Sequence, residues 1–200
     1  MKVFILGLSQ CGKTTVAKAL AESPDAFSIT VSSWLKSNFR LRSVNEEQED
    51  FEKARNEFLA IGLKRDANLI ADSVEITMSM HSDFNPKIKK FIIDGVTSPR
   101  DFTKLFNYNE DVAIFLNRVD NPSETTDHDG IGQNVIRDYC LWLSTMGLLP
   151  KERWTEYNYR MPGEESDFVK ELSSRNVVTI TKNINKAIEI MRSRLWKSET

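Results

Sequence analysis

The stretch Gly7-Leu8-Ser9-Gln10-Cys11-Gly12-Lys13-Thr14 fits the pattern G-x-x-x-x-G-K-[ST] without a mismatch. It directly follows the apolar run Val3-Phe4-Ile5-Leu6 and directly precedes a helix-like stretch over residues 15–22. A strand, a glycine-containing turn and a helix in this order are typical of a phosphate-binding loop. The pattern therefore predicts a site for a nucleoside triphosphate near the amino end of the chain.

The residue types in this loop each have a physical reason. Two glycines allow the backbone to curl, so that successive N–H groups face phosphate oxygens, and the positive end of the following helix favours the same anion. We expect Lys13 to bridge the outer phosphates of ATP and the hydroxyl of Thr14 to bind Mg²⁺. The residues expected to hold the nucleotide are Gly7, Ser9, Gln10, Cys11, Gly12, Lys13, Thr14 and Thr15.

Composition indicates a single α/β domain over residues 1–200, with 40% hydrophobic and 28% charged residues. The net charge of −2 gives no global field that would attract nucleic acid or an acidic membrane. The two cysteines, Cys11 in the loop and Cys140 in an apolar segment, argue against a disulfide framework. No apolar run approaches the length of a membrane span. We therefore expect a cytoplasmic protein without a membrane partner.

Apolar runs alternate with helix-like stretches along the chain. This alternation predicts a doubly wound α/β fold of the P-loop NTPase type, with a parallel five-stranded sheet, helices on both faces, and ligand at the carboxyl ends of the strands. The predicted strands are residues 2–6, 26–31, 90–94, 112–116 and 177–180, and the main predicted helices are residues 13–22, 46–80, 133–147 and 184–195.

Charged residues follow two of the predicted strands. Asp94 ends an apolar strand downstream of the loop, where a carboxylate orients Mg²⁺ in such folds, although it would also suit a cap on the turn at 95–97. Arg100 and Arg118 lie just past strand ends, where guanidinium groups hold anionic acceptors, while a solvated surface charge is the ordinary alternative. We expect Lys13, Asp94 and Arg118 to be the catalytic residues of a phosphotransferase, and Thr14 and Asp94 to be its metal site.

A family resemblance extends over most of the chain. Five segments are similar in order and rough spacing to phage-type deoxynucleoside monophosphate kinases, namely residues 33–36, 55–65, 92–101, 112–118 and 123–127. The resemblance implies that Arg118 contacts acceptor or transferring phosphates and that Asp94 serves Mg²⁺ or activates the acceptor. The residues it implies on the acceptor side are Lys36, Arg55, Arg65 and Arg100.

Three departures from that family concern the acceptor. Thr97 stands where the family has arginine, Gly95 replaces a second acid, and residues 132–175 are longer than expected. That segment interleaves aromatic and basic residues, which suits either a lid that excludes water or a surface that stacks nucleic-acid bases. We expect a lid or acceptor-side insertion, with Arg137, Arg153 and Arg160 as lid residues.

The favoured interpretation is an ATP- and Mg²⁺-dependent kinase whose acceptor is a (deoxy)nucleoside monophosphate. One alternative acceptor is modified DNA, in which a phage kinase phosphorylates the hydroxymethyl group of 5-hydroxymethyluracil; for a phage protein the compartment is the host cytoplasm. A second alternative is a regulatory GTP-binding protein, since residues 117–120 approximate Asn-Lys-x-Asp, but no Asp-x-x-Gly begins at Asp94. Base preference and oligomeric state are open at this point.

Overall fold

The computed structural model describes residues 1–8, 10–31, 68–118, 128–150, 152–159, 178–180 and 184–196. Strands and helices alternate along these ranges. The strands are β1 (Lys2–Gly7), β2 (Ala26–Thr30), β3 (Lys90–Asp94), β4 (Val112–Arg118), β5 (Trp154–Tyr159) and β6 (Val178–Ile180). The helices are α1 (Lys13–Leu20), α2 (Leu69–Phe84), α3 (Pro99–Leu105), α4 (His128–Thr145) and α5 (Ile184–Leu195).

The strands form one sheet in the order β2-β3-β1-β4-β5-β6, and every neighbouring pair is parallel. Strand β1 lies between β3 and β4, so the phosphate-loop motif leaves the sheet near its middle. Because the strands are parallel, their carboxyl ends share one edge, which we call the carboxyl edge. The predicted α/β class, with a parallel sheet flanked by helices, is confirmed. The five predicted strands are present, and β5 adds a sixth.

Strand β5 is the element that the sequence did not reveal. Buried parallel strands usually read as continuous apolar runs, whereas Trp-Thr-Glu-Tyr-Asn-Tyr alternates aromatic and polar residues. Thr155, Glu156 and Asn158 are nevertheless buried. Two of them have partners from distant parts of the chain: Arg137 pairs with Glu156, and Asn117 donates to Asn158. Glu156 and Asn158 are tolerated because they have polar partners inside the fold.

The structure describes residues 132–150 and 152–159 of the segment 132–175, and the expectation of a lid or acceptor-side insertion there stays a prediction. Helix α4 and strand β5 belong to the central layers, since Ile136, Cys140, Leu143 and Trp154 all lie in one hydrophobic cluster with β1 and β3 residues. The helix also begins at His128, earlier than the predicted residue 133. Residues 160–177 lie outside the described ranges.

Helices cover both faces of the sheet. Phe4 and Leu6 of β1 face the cluster formed with α2, α3 and α4, while Val3 and Ile5 face the cluster formed with α1 and α5. Burial on both faces explains the uninterrupted apolar run that precedes the loop. In the described part of the chain, no helix is both long enough and apolar enough to cross a membrane.

At the opposite, amino edge of the sheet, Asp25 ties three elements together. Its carboxylate accepts hydrogen bonds from Lys90 Nζ at 2.7 Å and from Trp196 Nε1 at 2.9 Å. Its backbone oxygen accepts from the amides of Lys89 and Lys90. Burial alone would raise the pKa of Asp25, but hydrogen bonds from Lys90, Ser23 and Trp196 and the charge of Lys90 together lower that pKa below its usual range.

This pair predicts an acid-sensitive contribution to stability. Asp25→Asn should reduce the free energy of unfolding by about 3 kcal/mol at pH 7, because it removes the carboxylate charge that pairs with the buried Lys90 ammonium. A carboxyl group with a lowered folded-state pKa stabilises the fold above its unfolded pKa, and this stabilisation is lost as the pH falls. The difference between wild type and variant in urea unfolding should therefore shrink from pH 7 to pH 3. Glu75→Gln, at an exposed carboxylate of α2, is the control, and a difference independent of pH would contradict the prediction.

Candidate active site

The loop after β1 turns sharply at Gly7, whose φ is +135°. A Cβ atom at this position would lie 2.4 Å from the backbone oxygen of Leu116 on β4 and 2.7 Å from Cys11 Sγ. Glycine is therefore required both by the backbone conformation and by the close approach of β4. The Gly7 amide does not face the loop, because it donates to Gln133 Oε1 at 2.8 Å.

Helix α1 begins directly after Gly12, its N-cap residue, which has a φ of +85°. Gln10 also has a positive φ, of 59°, so two left-handed residues shape the loop before the helix. No described side chain caps this helix end. The first N–H groups of a helix lack intrahelical partners, and with the helix dipole they favour an anion at this position.

Lys13 lies at the first turn of α1 and folds back over the loop. Its Nζ donates to the backbone oxygens of Gly7 at 2.8 Å and Leu8 at 2.6 Å, and lies 4.0 Å from Cys11 Sγ. The ammonium group is thus held inside the curve of the loop by two carbonyl oxygens. It stands where the outer phosphates of a nucleotide bound to the loop would need a cation.

Thr14, in the first turn of α1, contacts Asp94, the last residue of β3, although 80 residues separate them in sequence. Thr14 Oγ1 donates to Asp94 Oδ2 at 2.7 Å. Asp94 is only 1% exposed, and its other oxygen, Oδ1, is buried and has no hydrogen-bond partner among the described residues. A buried carboxylate oxygen without a partner is costly, and here it lies beside the Thr14 hydroxyl, so that two oxygen donors are available to a ligand at one place.

This pair fits Mg²⁺. A hydroxyl and a carboxylate are hard oxygen donors, and Mg²⁺ characteristically combines one or two such protein ligands with waters and substrate phosphates. Within the described ranges, no group of three or more His, Cys, Asp or Glu side chains could hold a metal ion by itself. The residues present therefore suit a cation that arrives with a phosphorylated substrate.

The structure describes only part of the expected acceptor side. Arg100 is exposed in the first turn of α3, which follows Asp94 at the carboxyl edge. Arg118 is the last residue of β4, also at the carboxyl edge. Ser9, Lys36, Arg55 and Arg65 lie outside the described ranges, so their expected contacts stay predictions.

Two of the three expected lid arginines are placed elsewhere. Arg137 pairs with the Glu156 carboxylate through Nε at 3.0 Å and Nη2 at 2.7 Å, and its guanidinium lies 5.4 Å from the Phe115 ring centre. Arg153 precedes β5, and its backbone oxygen accepts from Ala113 N at the amino edge. The six residues of β5 span roughly 20 Å, so Arg153 is far from the loop. Arg160 lies outside the described ranges.

The alternative in which aromatic residues of 132–175 stack nucleic-acid bases is weakened by the burial of two of them. Trp154 and Tyr157 are each only 1% exposed and pack in the two hydrophobic clusters. Trp142 is exposed, but on α4 it stacks against Tyr139. Trp154 and Tyr157 are therefore core residues, and the argument for DNA that rested on these two is lost.

Sequence reasoning missed Gln133, which is buried on α4. Its Oε1 accepts from Gly7 N at 2.8 Å and its Nε2 donates to Val96 O at 2.6 Å. One pattern could have revealed it. Gln133 continues the buried helical stripe of Ile136, Cys140 and Leu143, and a polar residue on such a stripe requires internal partners.

Comparison with known proteins gives little beyond this geometry. No family model and no curated protein matches the chain. One similar solved structure is described as a "putative kinase" from Chloroflexus aurantiacus J-10-fl. The match covers 100% of this chain and 97% of that chain, with 13% sequence identity and a TM-score of 0.40. A likeness this distant carries no functional conclusion, so the function must be inferred from this chain's own site.

The close approach at Gly7 predicts a large effect of one methyl group. Gly7→Ala should reduce the free energy of unfolding by about 3–5 kcal/mol, because backbone strain adds to a clash with the Leu116 carbonyl. Gly147→Ala is the matched control, since Gly147 also has a positive φ, of 74°, but no atom lies within 4 Å of its added Cβ. It should cost only ~1 kcal/mol in the same urea titration. Equal losses in both variants would contradict the close approach.

Proposed function

We propose that this protein binds ATP with Mg²⁺ at the loop of residues 7–14 and transfers the terminal phosphate to a nucleotide acceptor. The observation that carries the proposal is the contact between Thr14 and Asp94, with Asp94 Oδ1 buried and unpartnered beside it. A phosphate loop alone would suit many nucleotide-binding proteins. The paired hydroxyl and carboxylate add the ligands that a phosphoryl-transfer site uses for its cation.

On the donor side, the loop amides and the start of α1 bind phosphate oxygens. Lys13 exchanges its two backbone carbonyl partners for the outer phosphates, where its charge offsets the negative charge that develops during transfer. Thr14 and Asp94 would hold Mg²⁺, directly or through water, and a bound cation would supply neutralisation of phosphate charge. Buried Asp94 keeps a fixed position because β3 holds its backbone.

On the acceptor side, the support is the resemblance of several segments to deoxynucleoside monophosphate kinases. Arg100 and the end of β4 at Arg118 lie at the carboxyl edge, where a phosphorylated acceptor would face the donor. A nucleoside monophosphate is the acceptor we propose. The GTP-binding alternative loses support, because Asn117 Nδ2 donates to Asn158 Oδ1 at 2.5 Å within the sheet. Its side-chain amide is thus already engaged by a neighbouring strand.

Replacement of Lys13 tests the donor half. Lys13→Ala should lower the rate of phosphate transfer from labelled ATP at least about 100-fold, because the ammonium acts where charge develops in the transition state. Lys18→Ala, at an exposed lysine of the same helix, is the control and should transfer at the wild-type rate. Circular dichroism checks that both variants are folded. Full activity of Lys13→Ala would refute the proposal.

The same assay identifies the acceptor. Wild type is incubated with labelled ATP or GTP and a panel of nucleoside monophosphates, hydroxymethylated nucleotides and DNA containing 5-hydroxymethyluracil. We expect label on a mononucleotide and a preference for ATP. Label on DNA alone would replace the proposed acceptor, and GTP binding without transfer would replace the enzyme class.

Asp94→Asn should separate cation binding from folding. We expect the ratio of ATP affinities with Mg²⁺ and with EDTA to fall at least about tenfold, because the amide lacks the anionic oxygens. The free energy of unfolding without Mg²⁺ should not fall, since the variant removes a buried charge with an unpartnered oxygen.

The matched control for this variant is Asp101→Asn. Asp101 is also buried with an unpartnered Oδ1, its carboxylate accepts from Ala71 N on α2, and burial raises its pKa. Asp101→Asn should keep the Mg²⁺ effect on calorimetric ATP binding. An unchanged affinity ratio in Asp94→Asn would remove Asp94 from the metal site.

A further inference from the structure

The side chain of Gln133 bridges two loops that lead away from neighbouring strands. Gln133 is 1% exposed, and its carboxamide contacts Gly7 N on one side and Val96 O on the other, at 2.8 and 2.6 Å. A carboxamide offers one acceptor oxygen and a donor nitrogen, so this orientation satisfies both backbone groups. The bridge is thus complete and buried.

The bridge stands where the pairing of β1 with β3 stops. The register of these strands ends with Ile5 opposite Asp94, and Gly7 and Val96 lie two residues beyond that pair on their two chains. On its other side β1 stays paired, with Gly7 opposite Leu116 of β4. The carboxamide therefore occupies the opening between β1 and β3, and supplies the hydrogen bonds that a neighbouring strand would have supplied.

The residue before Gln133 determines how closely α4 approaches the ends of β1 and β3. A Cβ atom at Gly132 would lie 2.1 Å from the backbone oxygen of Thr97, in the loop after Asp94. Helix α4 can therefore approach that loop only because residue 132 has no side chain. A larger residue would push α4 away and withdraw the carboxamide from Gly7 and Val96.

We propose that Gln133 is a positioning residue that sets the separation between the phosphate loop and the end of β3, and through it the Mg²⁺ site. Thr14 and Asp94 face each other across the same opening, with Oγ1 and Oδ2 at 2.7 Å. Gln133 fixes the backbone on both sides of that contact, at Gly7 and at Val96. This inference rests on the proposed function, since it assigns Gln133 a role in holding the cation and its nucleotide.

Two variants separate the bridge from simple packing. Gln133→Leu keeps an apolar residue on the buried stripe but removes both hydrogen bonds. Gln133→Glu is nearly isosteric and retains an acceptor for Gly7 N, but as a carboxylate it cannot donate to Val96 O. Cys140→Ala is the matched control, because Cys140 is fully buried on the same helix and contacts neither loop through a hydrogen bond.

The first measurement needs no nucleotide. Amide hydrogen exchange at Gly7, followed by NMR, should accelerate at least about tenfold in Gln133→Leu, because its hydrogen-bond acceptor is gone. It should stay slow in Gln133→Glu and in Cys140→Ala. Fast exchange at Gly7 in wild type would show that the bridge does not form and would overturn the inference.

The second measurement is the ratio of ATP affinities with Mg²⁺ and with EDTA. The ratio should fall about tenfold in both Gln133 variants, as is typical when a group that orients a metal ligand is lost, and stay within about twofold of wild type in Cys140→Ala. A general loss of ATP affinity would affect both measurements equally and would therefore leave this ratio unchanged. A wild-type ratio retained in folded Gln133→Glu and Gln133→Leu overturns the positioning role alone. Wild type that binds no ATP, or binds it without a Mg²⁺ effect, refutes the proposed function itself.

Discussion

Strands β1 and β3 run side by side as far as Ile5 and Asp94 and then separate, and the candidate site lies in that opening. The loop after β1 and the carboxylate at the end of β3 are far apart in the chain. The pairing of the two strands brings them next to each other. Separation then leaves space for α1 to begin and for Thr14 to reach Asp94. The parallel pairing is thus the constraint that makes a shared cation site possible, and the opening beyond it is what must be kept at a fixed width.

Helix α4 controls that width from the far side of the sheet. Gln133 enters the opening, and one turn later Arg137 fixes the helix to β5 through its paired contact with Glu156. The guanidinium also lies over the ring of Phe115 on β4. Arg137, which we expected in a lid, thus has a structural role, because its charge pairs with Glu156 and holds α4 against the sheet. This also explains how a polar strand is accommodated within a parallel sheet.

The features that could be predicted from the sequence are those whose determinants are local. Three of these features are adjacent in the chain, namely the run at residues 3–6, the loop and the start of α1. Asp94 ends an apolar run that predicts a strand without information from other segments. The features that were missed depend on distant partners. Gln133 is separated from Gly7 by 126 residues and from Val96 by 37, and the burial of Glu156 depends on Arg137 from another element. Periodicity detects a polar residue on a buried stripe but does not identify its partner.

The hydrogen bonds of Gly7 divide the loop into two functional parts. Its N–H group donates to Gln133 and its carbonyl oxygen accepts from Lys13, so both backbone polar groups of Gly7 are hydrogen-bonded. Since that amide is directed to α4, it contributes no donor to a bound phosphate, and the anion-binding amides must come from later in the loop and from the start of α1. Gly7 is required for its conformation and for the close approach of Leu116. The lysine contact differs, because Lys13 can exchange a neutral carbonyl for an anionic phosphate oxygen, whereas Gln133 joins two backbone groups inside the fold. The loop is therefore anchored at its start and adaptable at its end, which is the arrangement needed to bind a charged ligand without losing its position relative to Asp94.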